Sequence, residues 1–159
     1  MSTKGQQIAT LQMLAKNEEA VAALYEAYAE AFPDYRDLWS NLSQAELDHA
    51  AWLRALSSLV EEGSVYFVRD RLTPEAIRTT IEYVQQGLAA AEHRWPSLIQ
   101  ALSMARDLER GLVERRFFEV FDEEPVELRR VMRDLSAATE EHIGTIEKAW
   151  QEARKPPGK

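Results

Sequence analysis

The chain is 159 residues long, 45% hydrophobic and 29% charged, which suits one soluble globular domain with a sizeable core. It contains no cysteine, which excludes disulfide scaffolds, thiolate zinc sites and cysteine-held iron–sulfur centres within these residues. A formal charge of −8 with no basic stripe argues against nucleic acid, and the lack of a signal-like start or a long apolar run argues against a membrane and for the cytoplasm.

Nearly every segment reads as helix, with Pro and Gly as punctuation. A first helix is predicted over residues 4–32, closed by Pro33, and a second over 35–62, closed by Gly63. Val65-Tyr66-Phe67-Val68 is β-prone and reads either as a dimer edge or as a cover over the helix ends. Thr73-Pro74-Glu75 caps a shorter helix over 74–92. Pro96 opens a third long helix, 96–121. After the acidic turn Asp122-Glu123-Glu124, Pro125 opens a fourth, 125–154, and residues 155–159 read as a disordered tail. Short loops make neighbouring helices antiparallel. Hairpins 4–62 and 96–154 joined by a 63–95 crossover therefore predict a single all-α domain, residues 1–154, built as an antiparallel four-helix bundle.

Each long helix carries a seam with alternating three- and four-residue steps. The first reads Leu11, Leu14, Glu18, Val21, Tyr25, Tyr28, Phe32, and the second Trp39, Leu42, Glu46, His49, Leu53, Leu56, Val60. The third reads Leu98, Leu102, Ala105, Glu109, Leu112, and the fourth Leu128, Met132, Leu135, Thr139, His142, Ile146, Ala149. Three glutamates and two of the three histidines thus interrupt apolar seams. An isolated buried carboxylate is costly, so several together call for a compensating charge.

The polar positions share one depth. Glu18 and His49 are equidistant from Pro33, and Glu109 and His142 from Pro125. Each lies about 15 residues from its turn, or 23 Å of helix. Glu18, Glu46, His49, Glu109 and His142 are therefore expected in one layer. Carboxylate oxygens with imidazole nitrogens suit iron, manganese or zinc. Glu46 and His49, at i and i+3, share a helix face, with Glu46 placed to bridge two ions. The competing reading is a buried polar network without metal, with Arg106 or Arg116 serving Glu109. Tyr25 reads as a hydrogen-bond partner or redox-active phenol near the layer, or as a core aromatic. Trp39, Trp52 and Trp150 read as packing residues, and His93 as exposed.

Over residues 8–150 this pattern resembles the ferritin-like superfamily, in particular its rubrerythrin-like branch. The motifs are Glu18 followed by Tyr25, ELDH at 46–49, MARDLER around Glu109 and EEHI around His142. The resemblance implies a ferritin-like bundle holding a di-iron or di-manganese centre, with Glu18 and Glu109 as single glutamates, Glu46 and His49 as a full Glu-x-x-His motif, and His142 as the histidine of the last motif. Thr139 stands where the resemblance implies a further glutamate, so an unusually open face is expected there: either a water, hydroxide or exogenous carboxylate fills the gap, or only one ion binds, or none. Glu140 and Glu141 point about 100° and 200° away around the helix and do not replace it. A rubredoxin-like domain cannot lie within these cysteine-free residues, so electrons are expected from a partner protein or from ferrous iron. A homodimer is also expected.

Three functions compete. The first is an iron-dependent oxidoreductase that reduces peroxide or oxygen or oxidises ferrous iron. The second is a degenerate bundle with a structural or partner-binding role. The third, a haem held by His49 and His142, sits poorly beside carboxylates that favour hard cations.

Overall fold

The computed structural model describes residues 3–67, 74–110 and 126–156. Helix α1 spans Lys4–Ala31, α2 Arg36–Glu62, α3 Pro74–His93, α4 Leu98–Arg110 and α5 Val126–Ala153. The described residues are all-α; the β-prone stretch forms no strand over 65–67. No described helix is long and apolar enough to cross a membrane. Several expectations fall outside the described residues: Val68, Thr73, residues 111–121 with Leu112 and Arg116, the 122–124 turn with Pro125, the Leu128 side chain, and 157–159 of the tail.

The helix ends have local causes. Thr3 and Gln6 form a reciprocal cap on α1: the Gln6 N–H donates to Thr3 Oγ1 at 3.2 Å, and the Thr3 N–H donates to Gln6 Oε1 at 2.7 Å. Pro33 forces Phe32 out of helical geometry, and a short 3₁₀ turn over Pro33–Tyr35 leads into α2. Gly63 closes α2 at φ 83°, where a side chain would strain the backbone. The Gly63 and Ser64 N–H groups then donate to the carbonyls of Val60 and Leu59. The third long helix starts later than Pro96 suggests. Ser97 is its cap, accepting from the Gln100 N–H at 3.2 Å while Gln100 Oε1 accepts from the Ser97 N–H at 2.9 Å. A serine with glutamine three residues on satisfies two amides that a proline at the first position leaves exposed.

Two apolar clusters fill the interior. One gathers Val21, Tyr25 and Tyr28 of α1, Trp39 and Leu42 of α2, Leu102 and Ala105 of α4, and Ile146 of α5. The other gathers Leu11 and Leu14 of α1, Leu53 and Val60 of α2, and Met132 and Leu135 of α5. The interrupted seams lie between them. Helix α1 passes from Leu14 through Glu18 to Val21, and α2 passes the other way, from Leu42 through Glu46 and His49 to Leu53. Helix α5 follows the direction of α1, and α4 leaves the first cluster at Leu108 to reach Glu109. Since α2 and α4 run the same way, the chain must return between them. Helix α3 is the return leg, with Ile77 in the second cluster and Val84 and Ala91 in the first.

The 65–67 segment closes one end of this interior. Phe67 is 3% exposed and joins the second cluster, which makes the segment a cover. The Gln7 amide fastens it as a strand partner would: Nε2 donates to the Phe67 carbonyl at 3.0 Å, and Oε1 accepts from the Phe67 N–H at 3.1 Å. Gln7→Ala removes both bonds at a cost of about 1–3 kcal/mol. The melting temperature is expected to drop by about 2–4 °C per kcal/mol at this chain length. An unchanged thermal melt would show that the clasp contributes nothing.

Candidate metal centre

Seam spacing drives the polar side chains inward because their helical neighbours are apolar. Glu18 is 0% exposed, Glu46 and Glu109 are each 1%, and Thr139 is 2%. His49 is buried and His142 partly buried. The imidazoles are the more exposed members, so they form the side of the layer nearest solvent.

Two ligand groups share one carboxylate. Donor atoms of Glu18, Glu46 and His49 lie within 4.8 Å of one another, and so do those of Glu46, Glu109 and His142. Glu46 Oε2 faces His49 Nδ1 at 3.5 Å, and its Oε1 faces His142 Nδ1 at 3.6 Å. Glu109 Oε2 lies 4.0 Å from His142 Nδ1. The two imidazoles stack, with centroids 5.7 Å apart. These separations are long for hydrogen bonds. Ligand atoms about 2.1 Å from a common ion are themselves roughly 3–4 Å apart, so the spacing suits a cation.

The hydrogen-bond accounting points the same way. Both Glu18 oxygens, Oε2 of Glu46 and of Glu109, and Nδ1 of His49 and of His142 are buried and make no hydrogen bond. Buried polar atoms of this kind are rare because each forfeits its hydration. Six of them, all on the five residues of the two groups, match a hard or borderline cation in chemistry.

The charges are unevenly held. Burial pushes the Glu46 carboxyl up, but the facing imidazoles of His142 and His49 outweigh it and hold the group down at about 2. Burial and then the Glu46 charge push Glu109 well above the ordinary carboxylate range. The Tyr25 hydroxyl donates to Glu109 Oε1 at 2.9 Å, leaving Oε2 directed at the layer. Burial and the charges of Glu109 and Glu46 in turn push the Tyr25 phenol far up. Tyr25 is thus both a core aromatic, 0% exposed, and a partner of the site.

Three expectations change. Thr139 does not border an open face: it is packed in, and its hydroxyl donates to its own helix at Leu135 O, 3.1 Å away. Arg106 does not serve Glu109; its guanidinium lies over the Trp150 ring, 4.6 Å from the centroid, where a planar cation and an aromatic face attract. Trp150 is more than packing, since its indole N–H donates to Ser103 Oγ at 3.1 Å. Glu140, Glu141 and His93 are exposed, as their helix positions predict.

Asn17 is one of several buried polar residues, with Gln7, Ser43 and Ser57, that the seam pattern does not single out. Asn17 is 0% exposed, and neither its Oδ1 nor its Nδ2 has a hydrogen bond. Its spacing from Leu14 and Val21 was the available signal, masked by the adjacent Glu18. No family model matches the chain, and no curated protein and no solved structure matches it.

Proposed function

We propose that the layer is a ferritin-like, rubrerythrin-like di-metal carboxylate centre. It would hold iron, with manganese or zinc compatible with the same ligands, and would serve peroxide or oxygen reduction or ferrous iron oxidation. The observation that carries this reading is the set of six unsatisfied buried donor atoms arranged about the shared Glu46.

In this reading Glu18, Glu46 and His49 would hold one ion, and Glu46, Glu109 and His142 the other. Bound iron would supply electrons for O–O bond cleavage. Tyr25 fixes Glu109 through Oε1, so that Oε2 is the free donor. The apolar clusters on both sides keep bulk water from the carboxylates. Helices α1, α2, α4 and α5 then form the four-helix bundle and α3 its crossover. No cysteine lies within these residues, so a cysteine-held iron donor would lie outside them, and a partner protein or ferrous iron would serve as reductant.

A second reading has its own support. Glu46 between two imidazoles forms a compact polar network, and Thr139 spends its hydroxyl on Leu135. That arrangement suits a bundle kept for a structural or partner-binding role.

Ferrous loading of chelator-free protein separates the two. About two irons per chain by elemental analysis, with an oxo-bridge absorption, is the expected result; less than about 0.2 per chain selects the metal-free network. A Soret band would select haem instead.

A further inference from the structure

A row of oxidisable side chains begins at the polar layer. Tyr25 donates to Glu109 Oε1 at 2.9 Å. Its ring centroid lies 5.6 Å from that of Trp39, and Trp39 lies 4.9 Å from Tyr28 in an edge-on pair. The Tyr28 hydroxyl meets Met104 Sδ at 3.4 Å. All three rings are essentially inaccessible, whereas Met104 is partly exposed. Helix α3 makes room for that thioether at Gly87, where a Cβ would overlap the Met104 methyl.

Packing alone accounts for rings in contact. It does not account for the two ends. One phenol terminates on a carboxylate of the acidic layer, and the other on a sulfur that can be oxidised. We propose that Tyr25, Trp39 and Tyr28 form a relay that carries oxidising equivalents from the acidic layer to the thioether of Met104. The inference rests on the di-metal reading, with hydrogen peroxide as the oxidant.

Tyr25 would give one electron to the loaded layer while its proton stays within the hydrogen bond to Glu109 Oε1, and Trp39 returns an electron to Tyr25. The Trp39 N–H is buried with no acceptor among the described residues, so the electron crosses it without proton loss. Met104 refills Trp39 across Tyr28. After two passages the sulfur has lost two electrons, and water adds its oxygen to form the sulfoxide with release of two protons. Hydrogen peroxide takes those two electrons and two protons and becomes two waters. The relay thus drains damaging equivalents to a residue that a sulfoxide reductase can restore.

The test compares wild type, Trp39→Phe and Tyr28→Phe. Iron content is measured first; each loaded protein then receives equimolar hydrogen peroxide. Samples are read by freeze-quench electron paramagnetic resonance and by peptide mass spectrometry. Wild type is expected to show a ring-centred radical and selective sulfoxide at Met104, with Met13 and Met132 as internal controls. Met104 sulfoxide is expected to fall by about tenfold in Trp39→Phe at unchanged iron content, because phenylalanine keeps an aromatic ring there but resists oxidation. Tyr28→Phe, a smaller change, gives the same comparison if Trp39→Phe does not fold. Equal Met104 oxidation in wild type and variants, or in chelated wild type, overturns the relay and leaves the metal reading standing. Iron content near zero in wild type overturns both.

Discussion

If the layer holds two ions as proposed, Glu46→Gln is expected to remove both at once. Glu46 is the only residue common to the two ligand groups among the described residues, and each of its oxygens faces a different imidazole. Loss of an outer hydrogen-bond partner costs a metal site about 10–100-fold in affinity, so loss of a shared direct ligand should exceed 100-fold. Glu18→Gln is the matched control, because Glu18 belongs to one group. It should spare one ion where Glu46→Gln spares none. Elemental analysis after identical loading reads the difference, and full metal content in Glu46→Gln would refute the site.

The metal-free protein should respond as well. A buried carboxylate on an apolar seam suggests that its removal would relieve the fold. The facing imidazoles reverse that expectation. The folded value of Glu46 lies near 2, below the ordinary 4.5. Its contribution to stability is therefore present above pH 4.5 and lost as pH falls toward 2. Glu109 has the opposite sign. Its folded value is raised, so its contribution is present below the ordinary carboxylate value and lost as pH rises through the raised one. In chelator at neutral pH, Glu46→Gln should melt below wild type. A higher melting temperature would show that the imidazoles do not compensate the charge.

Thr139→Glu is expected to tighten binding of the second ion by at least about tenfold, or 1.4 kcal/mol. Thr139 lies one helical turn from His142 on α5, inside the packed interior, and its hydroxyl is committed to Leu135. A glutamate there would bring a fourth carboxylate to a layer that holds three. The same change should lower the melting temperature in chelator, because one more acid is buried without an ion. Thr139→Gln has the same bulk without the charge and isolates the electrostatic part. If titration calorimetry gives the same second-ion affinity for threonine, glutamine and glutamate, this position takes no part in binding.

Much of this layer was legible because helix hairpins obey simple geometry. The shared depth of Glu18 and His49 below Pro33 places them in one group, and the same construction brings Glu109 within 4.0 Å of His142. The all-α class follows from the same seams. What stayed hidden depends on groups far apart in sequence or on local competition. The Gln7 clasp on Phe67 joins residues 60 apart, and a glutamine near an N-terminus has no pattern to mark it. The seam spacing marks Tyr25, but its partner Glu109 is 84 residues away. Arg106 lies three residues from Glu109 in sequence, yet an aromatic face one helix away holds it. Ser97 displaced Pro96 as the helix start because a side-chain cap satisfies backbone amides that a fixed φ does not.

The two ligand groups also differ in where their members lie along the chain. Glu18, Glu46 and His49 all belong to the α1–α2 hairpin, whereas Glu109 and His142 come from α4 and α5. The first group closes a short loop, and the second must wait for the distant half of the chain, with its greater entropic cost. A chain emerging from its N-terminus therefore completes one half-site before residues of the other exist. An ion captured there would pin Glu46 in place ahead of α4 and α5. On that reading cation supply would become a matter of timing during synthesis, with the early half-site as the template onto which the later helices dock.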